Sequence, residues 1–142
     1  MGDQIVVGTD GSESAAKAVA EALRIARGLG AEVHVVSAYR PVRIDGASVP
    51  GEFAGMITSR NHVDSVLADA VARARVAEVP CTAHAVEGDP TSALLKVVDA
   101  VDGTMLVVGN KGLNGVKRFL LGSVPSKIVH DAPCTTLIVH TT

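Results

Sequence analysis

Aromatic side chains are almost missing from this chain, which has one tyrosine, two phenylalanines and no tryptophan among its 142 residues. Proteins that hold single-stranded nucleic acid stack its bases on aromatic rings, so the composition argues against that class. An excess of either charge is missing too, because 13 basic and 15 acidic residues leave a formal net charge of −2. Nucleic-acid-binding domains carry a clear basic excess. We therefore expect no nucleic-acid partner.

Cysteines and long apolar runs are also scarce. The two cysteines, Cys81 and Cys134, form no Cys-x-x-Cys pair, so we expect a reducing compartment, no structural disulfide and no redox chemistry. A membrane-spanning helix needs about 20 apolar residues, and no run approaches that length. The opening MGDQIVVGTD lacks the basic and apolar segments of a secretory signal. The sequence therefore predicts a cytoplasmic protein that does not contact a membrane.

Small and branched apolar residues are what the chain has in quantity, and hydrophobic residues make up 47% of it. Short branched runs predict strands at 4–9, 32–38, 82–87, 104–108 and 135–140. Amphipathic segments between them predict helices at 12–28, 53–78, 90–103 and 124–130. Strict alternation of this kind predicts an α/β fold in one domain, 1–142, with a doubly wound parallel sheet and helices on both faces.

The predicted ends of the helices depend on a few residues. Residues suited to start a helix are Ser12, Asp89 with Pro90 after it, and Ser123. Residues suited to end one are Gly28 with Gly30, Pro80 and Gly103. The segment 40–51 is rich in proline and glycine and is predicted to be a mobile loop.

A glycine-rich stretch, GNKGLNGVKRFLLGS at 109–123, follows the fourth predicted strand and precedes the last helix. Gly109, Gly112 and Gly122 let the backbone approach a ligand closely, and a helix start supplies N–H groups and a positive dipole end that suit phosphate. The spacing is neither of the two familiar phosphate-binding fingerprints. From spacing alone, the glycines serve a phosphate site or merely tight turns and a helix cap.

The topology points to the same place. Ligands of doubly wound sheets bind beyond the carboxyl ends of the strands, where the winding direction switches. This predicts that the loops after the first and fourth strands are neighbours, which brings Asp10 close to Gly109. Asp10 can contact a ligand there or cap the first helix.

These residues resemble the universal stress protein family, in its ATP-binding branch. The family mark is Gly, two residues, Gly, nine residues, Gly and then Ser or Thr, which Gly109, Gly112, Gly122 and Ser123 match without a gap. The segments IVVGTDGSESA, EGDP, LVVG and APCTTLIV also look like that family, so the resemblance covers essentially the whole chain.

The resemblance implies a sheet in the order 3-2-1-4-5, of the adenine nucleotide alpha hydrolase-like kind, a homodimer and a bound adenine nucleotide. Asp10 would hold the ribose or lie near the base, and Ala38 would offer its backbone to adenine. Val108 and Gly109 would pass under the ribose. The residues expected at the nucleotide are Gly8, Thr9, Asp10, Ala38, Val108, Gly109, Gly112, Gly122, Ser123 and Val124.

Catalysis has little support in the sequence. Nucleotide hydrolysis needs carboxylates that hold a metal and a group that positions water. The candidate carboxylates are few: Asp10, Asp45 and Glu52. We expect no catalytic residue, no dedicated metal site among the five scattered histidines, and at most slow, incidental ATP hydrolysis with Mg²⁺ brought by ATP. The function expected is a regulatory module in a stress response.

Two other functions stay open at this point. One is an interaction protein that works without nucleotide, as in the family branch that lacks the glycine mark. The other is an adenylating enzyme, although the Ser-Gly-Gly-x-Asp-Ser loop of such enzymes is replaced here by GTDGSES at 8–14. The nucleotide itself is open between ATP, AMP and cyclic AMP. The homodimer would form through the last strand, 135–140, whose Thr-Leu-Ile-Val run has no Lys or Pro to discourage strand pairing.

Overall fold

The structure is a computed structural model, which describes residues 2–40, 50–110 and 123–141, without the side chains of 50–59 and 123–125. Strands and helices alternate along the chain as predicted. The strands are β1 Gln4–Gly8, β2 Glu32–Tyr39, β3 Cys81–Glu87, β4 Met105–Gly109 and β5 Thr135–Val139. The helices are α1 Glu13–Leu29, α2 Pro50–Val76, α3 Pro90–Val101 and α4 Ser123–Asp131. Within the described residues, no helix has the length and apolar character needed to cross a membrane.

The strands form a parallel five-stranded sheet in the order β3-β2-β1-β4-β5. This confirms both the predicted fold class and the strand order that the resemblance implied. Val6 at the centre of the sheet pairs with His34 on one side and Leu106 on the other. β3 and β5 are therefore the two edge strands.

Helices cover both faces of the sheet, and each face has its own hydrophobic cluster. α1 and α2 pack on the face that carries Ile5, Val7 and Val107. α3 and α4 pack on the opposite face, which carries Val6 and Leu106. These strand residues are fully buried, because parallel strands covered on both faces bury every side chain in turn. The valine-rich composition follows from that double burial.

Two helices start where the sequence predicts. Ser12 precedes α1, and its hydroxyl accepts a hydrogen bond from the Ala15 N–H at 3.1 Å. Asp89 precedes α3, and its carboxylate accepts the Ser92 N–H at 3.1 Å, with Pro90 at the first helical position. Both caps are local interactions within three residues, which is why the sequence alone predicts them.

Three helices end in the same backbone motif. After α1, α2 and α3, a residue in the left-handed region is followed by one whose N–H reaches back five residues to a helix carbonyl. The left-handed residues are Gly30 (φ 67°), Glu78 (φ 59°) and Asp102 (φ 53°). The returning bonds run from Ala31 to Ala26, from Val79 to Ala74 and from Gly103 to Val98.

Gly30, predicted together with Gly28 to end α1, is its C-cap. The predicted ends of α2 and α3, at 78 and 103, lie two residues beyond the observed ends at Val76 and Val101. Val79 is buried beyond the end of α2, so the core holds the chain in this turn although Glu78 is not a glycine. Gly103 serves a different purpose, because a Cβ there would lie 3.2 Å from Val6 Cγ2 and 3.3 Å from Val98 Cγ1.

Two helix starts also differ from the prediction. α2 begins at Pro50 instead of about residue 53, so Pro50 and Gly51 belong to the helix and not to the predicted loop. Proline at a helix start is compatible with its fixed φ and missing N–H. α4 begins at Ser123, so that residue opens the helix and does not precede it as a cap. The rest of the predicted loop, 41–49, lies outside the described residues.

Candidate functional site

The candidate site lies at the carboxyl edge of the sheet between β1 and β4. These strands are neighbours, but the chain leaves β1 toward α1 on one face and leaves β4 toward α4 on the other. The winding direction therefore switches between β1 and β4, and the carboxyl edge at such a switch is the usual ligand position in sheets of this topology. We call this edge, formed by residues 8–12 and 108–110, the rim.

The β1 side of the rim is a tight turn held by its own side chains. The Thr9 N–H donates to the Val36 carbonyl at 2.9 Å, and the Thr9 hydroxyl accepts the Gly11 N–H at 3.2 Å. One oxygen of Asp10 accepts the Ser12 N–H at 2.9 Å. The half-buried Asp10 carboxylate is thus fixed at the rim directly before the start of α1.

Gly11 has a strict steric reason to be glycine. Its φ is +84°, and a Cβ there would lie 2.7 Å from Val66 Cγ2 of α2. A side chain would have to displace the Val66 side chain and also adopt a strained backbone. The packing of α2 against this turn therefore helps to set the position of Asp10.

The β4 side of the rim is tied to the segment after β5. Gly109 ends β4, and the N–H of the following Asn110 donates to the Val139 carbonyl at 2.9 Å. The Asn110 side-chain oxygen accepts two hydrogen bonds from Thr141, from its N–H at 2.9 Å and from its hydroxyl at 2.7 Å. Asn110 and Thr141 are polar residues that the sequence did not single out.

The structure brings most of the described predicted residues together and leaves others aside. Those at adjoining ends of β1 and β4 are Gly8, Thr9, Asp10, Val108 and Gly109. Ala38 lies one strand away, near the end of β2, paired with Val86 of β3. Ser123 and Val124 open α4, while Gly112 and Gly122 lie outside the described residues.

Tyr39, the last residue of β2, and Arg60 of α2 form a contact near the rim. The Arg60 guanidinium lies 4.7 Å from the centre of the Tyr39 ring, and it also pairs with Asp64 at 3.2 Å. The Gly88 N–H donates to the Tyr39 carbonyl at 2.9 Å, which closes the end of β2 against the chain leaving β3. This cation–π pair is the one aromatic contact that the described residues show near the rim.

A second polar cluster lies within the sheet, away from the rim. His34 Nδ1 is 3.0 Å from His84 Nε2, and His34 Nε2 is 2.7 Å from Gln4 Oε1. Since an amide oxygen only accepts, His34 Nε2 donates to Gln4. Burial lowers the pKa of His34, against an opposing effect of Glu32, and burial together with His34 lowers the pKa of His84. Nothing in the sequence predicted this pairing, because the two residues are 50 positions apart.

The other titratable groups among the described residues offer little chemistry. In the described part of the chain, no three His, Cys, Asp or Glu side chains gather where they could share a metal ion. Burial raises the pKa of the thiols of Cys81 and Cys134, which keeps them protonated near neutral pH and poorly nucleophilic.

Comparison with known proteins agrees with this geometry. A model of the family described as "Universal stress protein family" matches residues 1–140. A universal stress protein of Mycobacterium tuberculosis H37Rv is 38% identical over 141 residues, which cover 97% of this chain and 96% of that protein.

Solved structures match over the same length. A universal stress protein in complex with cAMP is 33% identical, with a TM-score of 0.77 over 99% of this chain and 98% of that one. A universal stress protein family member from Arabidopsis thaliana with AMP bound has a TM-score of 0.75 over 99% and 92% of the two chains. Its 20% identity makes that likeness one of fold.

Proposed function

The chain belongs to the universal stress protein family, and from that premise we propose that it binds an adenine nucleotide at the rim. The observation that carries this proposal is the switch in winding direction between the neighbouring strands β1 and β4, which places Asp10, just after β1, beside the end of β4 at Gly109. The similar protein of 33% identity that was solved with cAMP supports it.

Each side of the rim suits a different part of a nucleotide. Asp10 already accepts the Ser12 N–H, but a carboxylate has about four acceptor sites and can also accept from ribose hydroxyls. Gly109 carries no side chain and lets a sugar pass close to the backbone. The N-terminus of α4 at Ser123 favours negative charge. Phosphate would therefore lie toward α4, where the sequence also predicts Gly112 and Gly122.

The nucleotide is ATP by family resemblance, and AMP and cAMP are the alternatives. Mg²⁺ is usually held by one or two carboxylates together with phosphate oxygens. Asp10 is the carboxylate that the described rim offers, so Mg²⁺ would accompany ATP and be held mainly by the phosphates. A monophosphate needs no such ion.

The same scarcity of groups favours a regulatory module over an enzyme. Phosphoryl transfer to water needs metal-holding carboxylates and a residue that orients the water, and the rim supplies Asp10 alone for both purposes. We therefore propose that ATP turnover is slow and incidental. A turnover above about 1 per second, the lower range of dedicated enzymes, would contradict this.

We also propose a homodimer through β5. It is an edge strand, and its Leu137, Ile138 and Val139 remain only half-buried in the single chain. An uncharged apolar edge invites pairing with another strand, and a two-fold copy of β5 would cover it. Sedimentation that shows a stable monomer at micromolar concentration would rule this out.

Competitive calorimetry with ATP, ADP, AMP and cAMP tests the proposed function. We expect at least one of them to bind, and we expect Asp10→Ala to weaken binding about tenfold, as loss of a charged hydrogen-bond acceptor does. Gly112→Val and Gly122→Val should fold and lose binding, because a side chain would fill the space of the phosphate. Gly28→Val is the matched control, because a Cβ at Gly28 meets no atom within 4 Å.

Two outcomes would overturn this assignment. Unchanged affinity in both glycine variants would show that the nucleotide binds elsewhere. Failure of all four nucleotides to bind would favour an interaction protein that works without a nucleotide.

A further inference from the structure

We infer that Thr141 is a positioning residue for the nucleotide site: it holds the carboxyl end of β4 against the start of α1. This inference rests on the proposed function. Thr141 follows β5 and is only 5% exposed, although its neighbour His140 is exposed. Its buried groups all have partners, and those partners lie on both sides of the rim.

Toward β4, Thr141 makes two hydrogen bonds to the same atom of Asn110. Its N–H and its hydroxyl both donate to Asn110 Oδ1, at 2.9 and 2.7 Å. The Asn110 backbone is fixed as well, through the Val139 carbonyl at 2.9 Å. Asn110 directly follows Gly109, so these three bonds determine how the chain leaves β4.

Toward α1, Thr141 contacts the first two turns of the helix. Its hydroxyl makes a short hydrogen bond with the Ser14 hydroxyl, and its carbonyl accepts from Lys17 Nζ at 3.1 Å. Because the Thr141 hydroxyl gives its only proton to Asn110, the Ser14 hydroxyl must be the donor of the first bond. A directed chain therefore runs from Ser14 through Thr141 to Asn110.

This chain connects the two walls of the rim. Ser14 lies in the same turn of α1 that Asp10 and Ser12 shape, and Asn110 lies beside Gly109. Binding groups must be held within about 0.5 Å of their productive positions by the residues behind them. Thr141 is placed to fix the distance between Asp10 and Gly109 without touching a nucleotide itself.

Thr141→Val tests this inference, because it keeps the shape of the side chain and removes the hydroxyl. We expect nucleotide affinity by calorimetry to fall about tenfold, the effect of losing one hydrogen bond, for whichever of the four nucleotides the natural chain binds. We expect Thr141→Ser, which keeps the hydroxyl, to restore the affinity. The backbone amide signals of Gly109 and Asp10 in NMR spectra should move in the valine variant and return in the serine variant.

Thr136→Val is the matched control. The Thr136 hydroxyl donates to the Cys134 carbonyl at 3.5 Å on the amino side of β5, so its loss should leave nucleotide affinity unchanged. If Thr141→Val fails to fold, Ser14→Ala removes the other end of the chain and should still weaken binding severalfold.

The outcomes separate the two proposals. If the natural chain binds a nucleotide and folded Thr141→Val binds it equally well, the positioning role is wrong and the proposed function stands. If folded Thr141→Val and Thr141→Ser lose affinity alike, the hydroxyl is not the cause and the inference is also wrong. If the natural chain binds none of the four nucleotides, both proposals fall.

Discussion

The two edge strands occupy equivalent places in the sheet but differ in what they expose. β3 carries polar groups at its margin, with Thr82 and Glu87 exposed, and His84 of β3 is tied inward to His34. β5 has no charged residue, and its Leu137, Ile138 and Val139 are half-buried. Charged and polar edges resist further strand pairing, whereas apolar ones invite it.

The two edges are also held by different chemistry. β3 is linked through His84 and His34 to Gln4 of β1. Burial lowers the pKa values of these imidazoles, so they gain protons only under acidic conditions. The end of β5 is held through the Thr141 bonds to Asn110, which involve only hydroxyl and amide groups. We therefore expect β3 to resist pairing with a further strand and its contacts to depend on pH. We expect β5 to accept a further strand and its contacts not to depend on pH.

The largest effect is expected from a proline at an outward-facing position of β5. The Val139 carbonyl faces β4, so by alternation the N–H of Thr136 points away from the sheet. Thr136→Pro removes that outward N–H and leaves the pairing with β4 intact. If β5 pairs with its copy, the dimer dissociation constant measured by sedimentation should rise on the order of a hundredfold or more, because both protomers lose a bond.

The matched substitution on the other edge is Ala83→Pro. The Gly88 N–H and the Pro80 carbonyl face β2, so the N–H of Ala83 points outward from β3 in the same way. This variant should leave the oligomeric state unchanged. A dimer lost in Ala83→Pro and kept in Thr136→Pro would reverse the roles assigned to the edges.

A smaller effect is expected from pH, and only at the β3 edge. Burial lowers the pKa values of His34 and His84 below the ordinary value of 6.5, so the unfolded chain binds protons more readily. The contribution of these histidines to the free energy of unfolding is therefore fully present above about pH 6.5. It decreases as the pH drops through that value toward the lowered pKa values of the folded protein. Urea unfolding measured from pH 8 to pH 5 should show this decline.

Variants at the paired histidines check the cause of that decline. His34→Gln with His84→Gln removes both imidazoles and should flatten the pH dependence, while His140→Gln, an exposed position after β5, should leave it as it is. An unchanged slope in the double variant would place the titrating groups elsewhere.

The smallest effect concerns the thiols at the start of each edge. Burial raises the pKa of both Cys81 and Cys134, and a backbone hydrogen bond involving Val35 partly offsets this at Cys81, which is the more deeply buried of the two. Both should react slowly with iodoacetamide at pH 7, and Cys134 severalfold faster. Peptide mass spectrometry after timed labelling would measure this, and faster labelling of Cys81 would show that β3 opens more readily than β5.

Much of the fold could be predicted because its signals are local. The alternation of branched runs and amphipathic segments predicts every strand and helix, and Ser12 and Asp89 cap their helices within three residues. The helix ends were harder to predict. Glu78 and Asp102 adopt left-handed backbone without being glycine, because the chain after them packs against the core.

The site was predicted only in part, for the same reason. Asp10 and Gly109 each end a predicted strand, and the topology rule for doubly wound sheets places those ends together. Ser14, Asn110 and Thr141 carried no such signal, since their roles depend on partners elsewhere in the chain.

The sequence by itself determined the order of elements, the switch in winding direction and therefore the edge of the sheet where a ligand belongs. These follow from periodicity and from short-range hydrogen bonds, which neighbouring residues make on their own. Only the tertiary structure decided which distant polar groups meet, as Ser14 meets Thr141 across 127 positions and His34 meets His84 across 50. The reason is physical: a buried donor takes whichever acceptor the packed sheet brings within reach, and no local pattern records that choice.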